Sequence, residues 1–478
     1  MKRLVPLAAL VISLTSFPAF AQETDTEKVA ARDVIMKMVA LEQSLDIPNL
    51  VAKLTGPNVE RDAVVARTKE LMDKDLLAMA DDIATHPEIG FEEKRSIAKL
   101  TDYLRQHNFD VQTGVANLPT AFIAKYRGGT GAPNLGIIVE YDALRGTSGP
   151  FHGDQHSAQG PVGLATAVAI SEFLTRSHTP GTVTVFGTPG EEMMPPNAKT
   201  DMHLAHVFDG MDIIVRSHSS SQTSRPAAGF GTCCMNIDGV KYTFSGAPAH
   251  QLTSWNGRNA LEAVIHLFNN IDAVRSSIRP EARIQGIITE GGAAPNVTPD
   301  RTSADFYIRY PDEVYLAQVT EFVDNAAKAA ALATGTKVKI DHYGKARDGI
   351  SEGTLSELAF GYMKKFGGTN VQPQPGKPQG FEETGSVSRD IPGAGITSQS
   401  SGAPNHTYEM NEDNLKEIGH KGFTVDAETM TAILFDFATH ADYRAAVKKE
   451  FDGLKVLLGE YQAALKKTYP TPAVGEPK

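Results

Sequence analysis

The chain has 478 residues, of which 41% are hydrophobic and 22% charged, and its formal net charge is −11. That length is too great for one small core and implies about two domains. The acidic balance, with no long basic run, excludes nucleic acid as a partner.

The chain opens "MKRLVPLAALVISLTSFPAFAQ". A positive start at Lys2 and Arg3, an apolar run and the small-x-small pattern Ala19-Phe20-Ala21 read as a secretory signal peptide cleaved after Ala21. This predicts an exported, periplasmic protein. No later apolar run is long enough to span a bilayer, so a membrane partner is not expected. Residues 22–60 read as a helical extension without motifs.

From residue 61 the pattern is regular. "RTKELMDKDLLAMADDIATH" and "EEKRSIAKLTDYLRQHNF" have helical spacing. "TAFIAKYR" and "LGIIVEYDAL" follow as strands, the second with the continuous apolar run of a strand covered on both faces. "PVGLATAVAISEFLTR" is an apolar helix, and "GTVTVFGTPGEE" and "MDIIVRSHS" are further buried strands. The alternation predicts an α/β domain with a largely parallel sheet, over 61–235 and 349–478. The segment 236–348 changes texture. Its strands and helices run β-α-β-β-α-β, a ferredoxin-like unit inserted into the first domain. The two cysteines, Cys233 and Cys234, are adjacent at its start. A bridge between neighbours strains the intervening peptide, so they read as core thiols. The chain closes on the helix "AETMTAILFDFATHAD" and a Pro-rich tail.

Ligands in open α/β sheets gather at the carboxyl ends of strands. Asp142 follows "LGIIVEY", Glu191 and Glu192 follow "TVTVFGTPG", and His218 follows "DIIVRS". The loop "HGDQHS" adds His152, Asp154 and His156, and "SGAPNHTYEM" adds His406. Each histidine alone is more often a hydrogen-bonded residue than a ligand. Together, Asp154, His156, Glu192, His218 and His406 offer two nitrogen-rich half-sites with a carboxylate able to bridge two cations. One glutamate of the pair can bind metal while its neighbour acts as general base on water. A serine hydrolase is a weak alternative, since no G-x-S-x-G elbow occurs.

The motifs "HPEIGFEE", "EYDAL", "GTPGEE", "GRNALEAVIHLFNNIDAVR", "GIITEGGAAPNVTPD", "ADFYIRYP" and "GHKGF", spread over roughly 65–445, resemble the aminoacylase and carboxypeptidase family of co-catalytic metallopeptidases. That family is peptidase family M20, and the branch these motifs resemble is the aminobenzoyl-glutamate hydrolase-like one. The resemblance implies a zinc-peptidase-like catalytic domain with an inserted lid that dimerises. It implies Glu191 as general base and Asp154, His156, Glu192, His218 and His406 as ligands of two divalent cations per subunit, with zinc first and manganese or cobalt next. It implies Asp142 as the partner orienting His156. His250 in "SGAPAH" would steady the oxyanion from a partner subunit, and Asn296 would contact substrate. Arg309 would pair with a substrate carboxylate, or else sit in a surface salt bridge. The family branch reads H-G-C-G-H-N where this chain reads "HGDQHS". Asp154 therefore either replaces the thiolate as bridging ligand or marks an altered, metal-poor site. The implied activity is hydrolysis of a small amide, whether an N-acyl amino acid, an aryl amide or a dipeptide. The alternative is a binding or scavenging protein on the same fold.

Overall fold

The computed structural model describes residue 29 and residues 31–127, 131–193, 198–218, 220–232, 235–376 and 385–468. The signal-peptide segment and both cysteines lie outside them.

The apolar runs form the centre of the molecule. Strands β1 (Asp110–Thr113), β2 (Phe122–Arg127), β3 (Asn134–Val139), β4 (Thr182–Gly187) and β5 (Ile213–Ser217) belong to one sheet. The sheet closes with a sixth strand, Gly393–Ile396. Its order is β1-β2-β4-β3-β5 and then the sixth strand. The pairings β3–β4, β3–β5 and β5 with the sixth strand are parallel, whereas β1 and β2 add an antiparallel edge. Every residue of β4 and β5 is buried, as an apolar run covered on both faces requires.

The helix His156–Ser177 lies against this sheet and is buried nearly all round. Gly163 sets the approach, because a side chain there would meet Val139 Cγ1 at 2.3 Å. Leu164, Val168 and Phe173 of this helix join Ile137, Val185, Phe423 and Ile433 in the main core. Burial of such side chains contributes roughly 1.5–3 kcal/mol each.

The inserted unit has four antiparallel strands: β6 (Asn236–Ser245), β7 (Arg283–Glu290), β8 (Arg301–Tyr310) and β9 (Lys337–Ala346), ordered β7-β8-β6-β9. Two helices, Ala260–Val274 and Glu313–Thr334, cover one face. Period-2 alternation puts Tyr242, Phe244, Phe306 and Ile308 on that face, against Leu267, Leu316 and Val319. Both helices start at side-chain caps: Asn259 accepts from the Leu261 amide at 3.0 Å and Asp312 from the Tyr315 amide at 2.8 Å. This is the lid of an α/β catalytic domain. The edge strand β7 is largely exposed and carries Ile287 and Ile288, while Leu252, Trp255 and Val297 are also exposed on the lid.

One element is not legible in the sequence alone. Beyond Glu417–Thr439 a further helix, Ala441–Thr468, runs to the Pro-rich tail. It packs on the extension helix Arg32–Gln43 through Met38, Phe451, Leu454 and Tyr461, together with Phe230 and Ile350. Those last two lie in a short strand pair flanking the lid's entry and exit. Among the described residues no helix is long and apolar enough to cross a membrane.

Candidate metal and catalytic site

The loop "HGDQHS" follows a short hairpin and ends at the start of the helix His156–Ser177. Asn411 and Asn414 hold it from across the chain. The His152 amide donates to Asn411 Oδ1 at 2.8 Å, and Asn414 Nδ2 donates to the carbonyl of His152 at 2.9 Å and to that of Asp154. Asp154 Oδ1 accepts from the His156 amide at 2.8 Å. The other oxygen, Asp154 Oδ2, is buried without a hydrogen-bond partner, and both buried ring nitrogens of His156 face carboxylates, Nδ1 toward Asp142 and Nε2 toward Glu140.

The "GTPGEE" turn is fixed from the other side. Gly190 has φ 63°, and a side chain there would meet the Phe91 ring at 2.5 Å, so glycine is needed for both reasons. The Gly190 amide donates to Glu93 Oε1 at 2.9 Å, and Thr120 Oγ1 donates to Glu93 Oε2 at 2.7 Å. The Glu192 amide donates to Asp142 Oδ2 at 3.0 Å. Glu191 and Glu192 thus hang from a turn pinned at Glu93 and Asp142.

These supports bring Asp154, His156 and Glu192 together, with one ligand atom from each lying within 4.8 Å of the others. His406 joins them: its Nε2 is 3.1 Å from Glu192 Oε1, its amide donates to the Gly153 carbonyl at 2.6 Å, and its backbone is left-handed at φ 65°. The His218 ring stands edge-on to that of His156 with centroids 5.6 Å apart. Asn405 Nδ2 lies 3.4 Å from its Nδ1.

The electrostatics ask for positive charge. Glu140, Asp142 and Asp154 are fully buried around His156. Its Nδ1 lies 3.2 Å from Asp142 Oδ1 and 3.9 Å from Asp154 Oδ2, and its Nε2 lies 3.4 Å from Glu140 Oε2. Burial lowers the pKa of His156, but the Asp154 charge and the Asp142 and Glu140 carboxylates outweigh it and hold the imidazole well above its ordinary value. Burial raises Asp154, yet the His156 charge, the nearby His152 ring and the His156 amide bring it below the usual carboxylate range. Glu192 is pushed up by burial and by Asp154, against the pull of His406. A buried carboxylate cluster that retains a proton on its histidine is a place where a cation substitutes naturally. The donor set of carboxylate oxygens and imidazole nitrogens suits zinc or manganese. The residues present fit a divalent metal.

The lid residues divide. Arg309 is half-buried on β8, its pKa lowered by burial against the opposing charges of Tyr307 and Glu191. It thus lies within electrostatic reach of Glu191 on the GTPGEE turn. His250 and Asn296 lie on the exposed lid edge, where His250 Nδ1 accepts from the Leu252 amide at 3.1 Å and the Asn296 carbonyl from the Gln251 amide at 3.1 Å. Within one chain neither makes a hydrogen bond or ion pair to Asp154, His156 or Glu192. Two functional neighbours escaped the sequence reading, Glu93 and Glu140. The signals were present, a "GFEE" acid and a strand-end acid in "VEYD", but their partners are remote in sequence.

Comparison with known proteins agrees with this architecture. Residues 235–334 match the peptidase dimerisation domain of the M20 family. The chain is 31% identical over 356 residues to human Xaa-Arg dipeptidase, covering 70% of this chain and 79% of that protein. It is also 31% identical over 305 residues to a p-aminobenzoyl-glutamate hydrolase polypeptide of Escherichia coli K12, covering 60% of this chain and 62% of that one. A dinuclear metal-binding peptidase of the M20 family from Bacillus subtilis has the same fold, with a TM-score of 0.54 at 17% identity, over 77% of this chain and 99% of that structure.

Proposed function

The chain belongs to the M20 peptidase family, hydrolases of amide or peptide bonds, and from that premise we propose that it is an exported two-metal amidohydrolase acting on a small N-acyl amino acid, aryl amide or dipeptide. The observation that carries this reading is the convergence of Asp154, His156 and Glu192 within 4.8 Å, with His406 on Glu192 and Glu191 next in the chain. Asp154 stands where related loops carry a cysteine and would bridge the two cations, and His218 would complete the ligand set. Divalent cations bound there would supply Lewis acidity to the scissile carbonyl and lower the pKa of a water.

The chain's own groups do the rest. Glu191 accepts the proton of the attacking water and delivers it to the leaving amine. Arg309, on the lid strand beside Glu191, offers its guanidinium fork to a substrate carboxylate. His250 and Asn296 act in a homodimer, where a second copy's lid would bring His250 to the oxyanion. The Lys2-Arg3 start, the apolar run and the Ala19-Phe20-Ala21 pattern support cleavage after Ala21 and a periplasmic location.

The test is a panel of N-acyl amino acids, aryl amides and dipeptides assayed with zinc- or manganese-loaded protein, with and without chelator. Chelator-sensitive hydrolysis of at least one class is expected. No turnover, with less than one cation bound per chain after loading, would favour the metal-poor binding protein instead.

A further inference from the structure

Asp142 is the residue the sequence nominates to orient His156, and it lies 3.2 Å from that ring, while a second buried carboxylate faces the ring's other nitrogen. Asp142 Oδ1 faces Nδ1, which is also the nitrogen that faces Asp154 Oδ2. Two ligand atoms on one zinc ion sit about 3.3–3.5 Å apart, given bonds of about 2 Å in a tetrahedron. The 3.9 Å from Nδ1 to Asp154 Oδ2 approaches that spacing, which puts Nδ1 on the side of the proposed metal ligands. Asp142 Oδ2 is meanwhile occupied by the Glu192 amide.

The far nitrogen, Nε2, faces Glu140. A ligating histidine nearly always donates its other ring N–H to a carboxylate or carbonyl, which fixes its tautomer and orientation. Glu140 is equipped for that task. It follows the last residue of β3 and is fully buried. Gln159, one turn into the helix that His156 begins, reaches it twice: Nε2 donates to Glu140 Oε2 at 3.1 Å, and Oε1 accepts from the Glu140 amide at 3.1 Å. Lys199, itself buried, makes a short ion pair with Glu140 Oε1. A lone buried carboxylate would be costly, and the lysine makes it tolerable as an anion.

We infer that Glu140, locked by Lys199 and Gln159, is the positioning residue for His156: it accepts the Nε2 proton and so presents Nδ1 to the metal. The inference rests on the two-metal reading of the site.

The test is zinc titration of metal-free protein by calorimetry. Glu140→Gln/Lys199→Met removes both charges together, so that neither is left buried and unpaired. It is expected to weaken zinc binding roughly ten- to a hundredfold while the far-UV spectrum stays that of the wild type. Glu140→Asp keeps the ion pair but withdraws the oxygen by one methylene, and should lose part of the same affinity. It decides the matter should the double variant fail to fold. In the nitrogen-15-labelled zinc protein, a protected imidazole Nε2–H resonance should be present and should vanish in the double variant. Affinity within about twofold of wild type in the folded variants would overturn the inference, as would a proton found on Nδ1. A wild-type chain that binds no zinc would defeat the metal-site reading itself, and this inference with it.

Discussion

His406 Nε2 lies 3.1 Å from Glu192 Oε1, a contact between a left-handed loop residue and the end of a buried strand's turn. The hydrogen bond to Glu192 raises the pKa of His406, against the effect of burial. Both belong to the proposed ligand set, and a cation would bind between them. His406→Ala should therefore lower metal content by about one ion per chain and cut kcat by at least tenfold. Metal analysis of the loaded variant checks this, and a full complement of metal would remove His406 from the ligand set.

The lid predicts assembly. Ile287 and Ile288 on the edge strand β7 are exposed, as are Leu252 and Trp255 in the turn that follows His250. An unpaired strand edge of this kind is a pairing surface. Light scattering should report a dimer, and Ile287→Asp should yield monomers. If His250 acts across the dimer, the monomer loses an oxyanion donor, a loss of about a hundredfold in kcat. A monomeric variant with wild-type kcat would show that His250 plays no such part.

A third expectation concerns pH. Glu42, in the extension helix, is pushed up from 4.5 to about 9 by burial and by Glu450. Glu450 caps the helix Gly353–Lys365 through the amides of Gly353 and Thr354. Glu352 beside them is also buried, and Arg225 pairs with Glu357 nearby. A carboxyl whose folded pKa is raised favours the fold fully below its unfolded value, and that contribution is lost as pH rises through the folded one. The wild type should thus lose stability between pH 4.5 and 9. Glu42→Gln, which cannot ionise, should be more stable than wild type at pH 8 by at least about 1.4 kcal/mol, one pKa unit's worth. Chemical denaturation at pH 5 and pH 8 checks this. Equal differences at both pH values would mean that Glu42 does not ionise in that window.

Much of this architecture is written in local pattern. "LGIIVEY" and "TVTVFG" announce strands covered on both faces because their apolar runs leave little that could face water. Their ends then locate Asp142, Glu191 and Glu192. The lid follows from period-2 alternation in "ADFYIRYP", whose Phe306 and Ile308 face the helices while Arg309 faces away. Other features depend on tertiary partners. Glu140 is one more strand-end acid until Lys199 and Gln159 close on it. Glu93 is one of two glutamates in "GFEE" until Gly190 and Thr120 reach it. The helix Ala441–Thr468 carries no motif, and its apolar stripe acquires meaning from Met38 and Phe230, which are far away in sequence.

The central claim is that Glu191 moves the proton while its neighbours hold the metal. Glu191→Gln separates the two directly, with hydrolysis and metal content measured on the same preparation. The account predicts that turnover falls by at least three orders of magnitude while metal content stays at the wild-type level. Normal hydrolysis by the metal-loaded variant would contradict it.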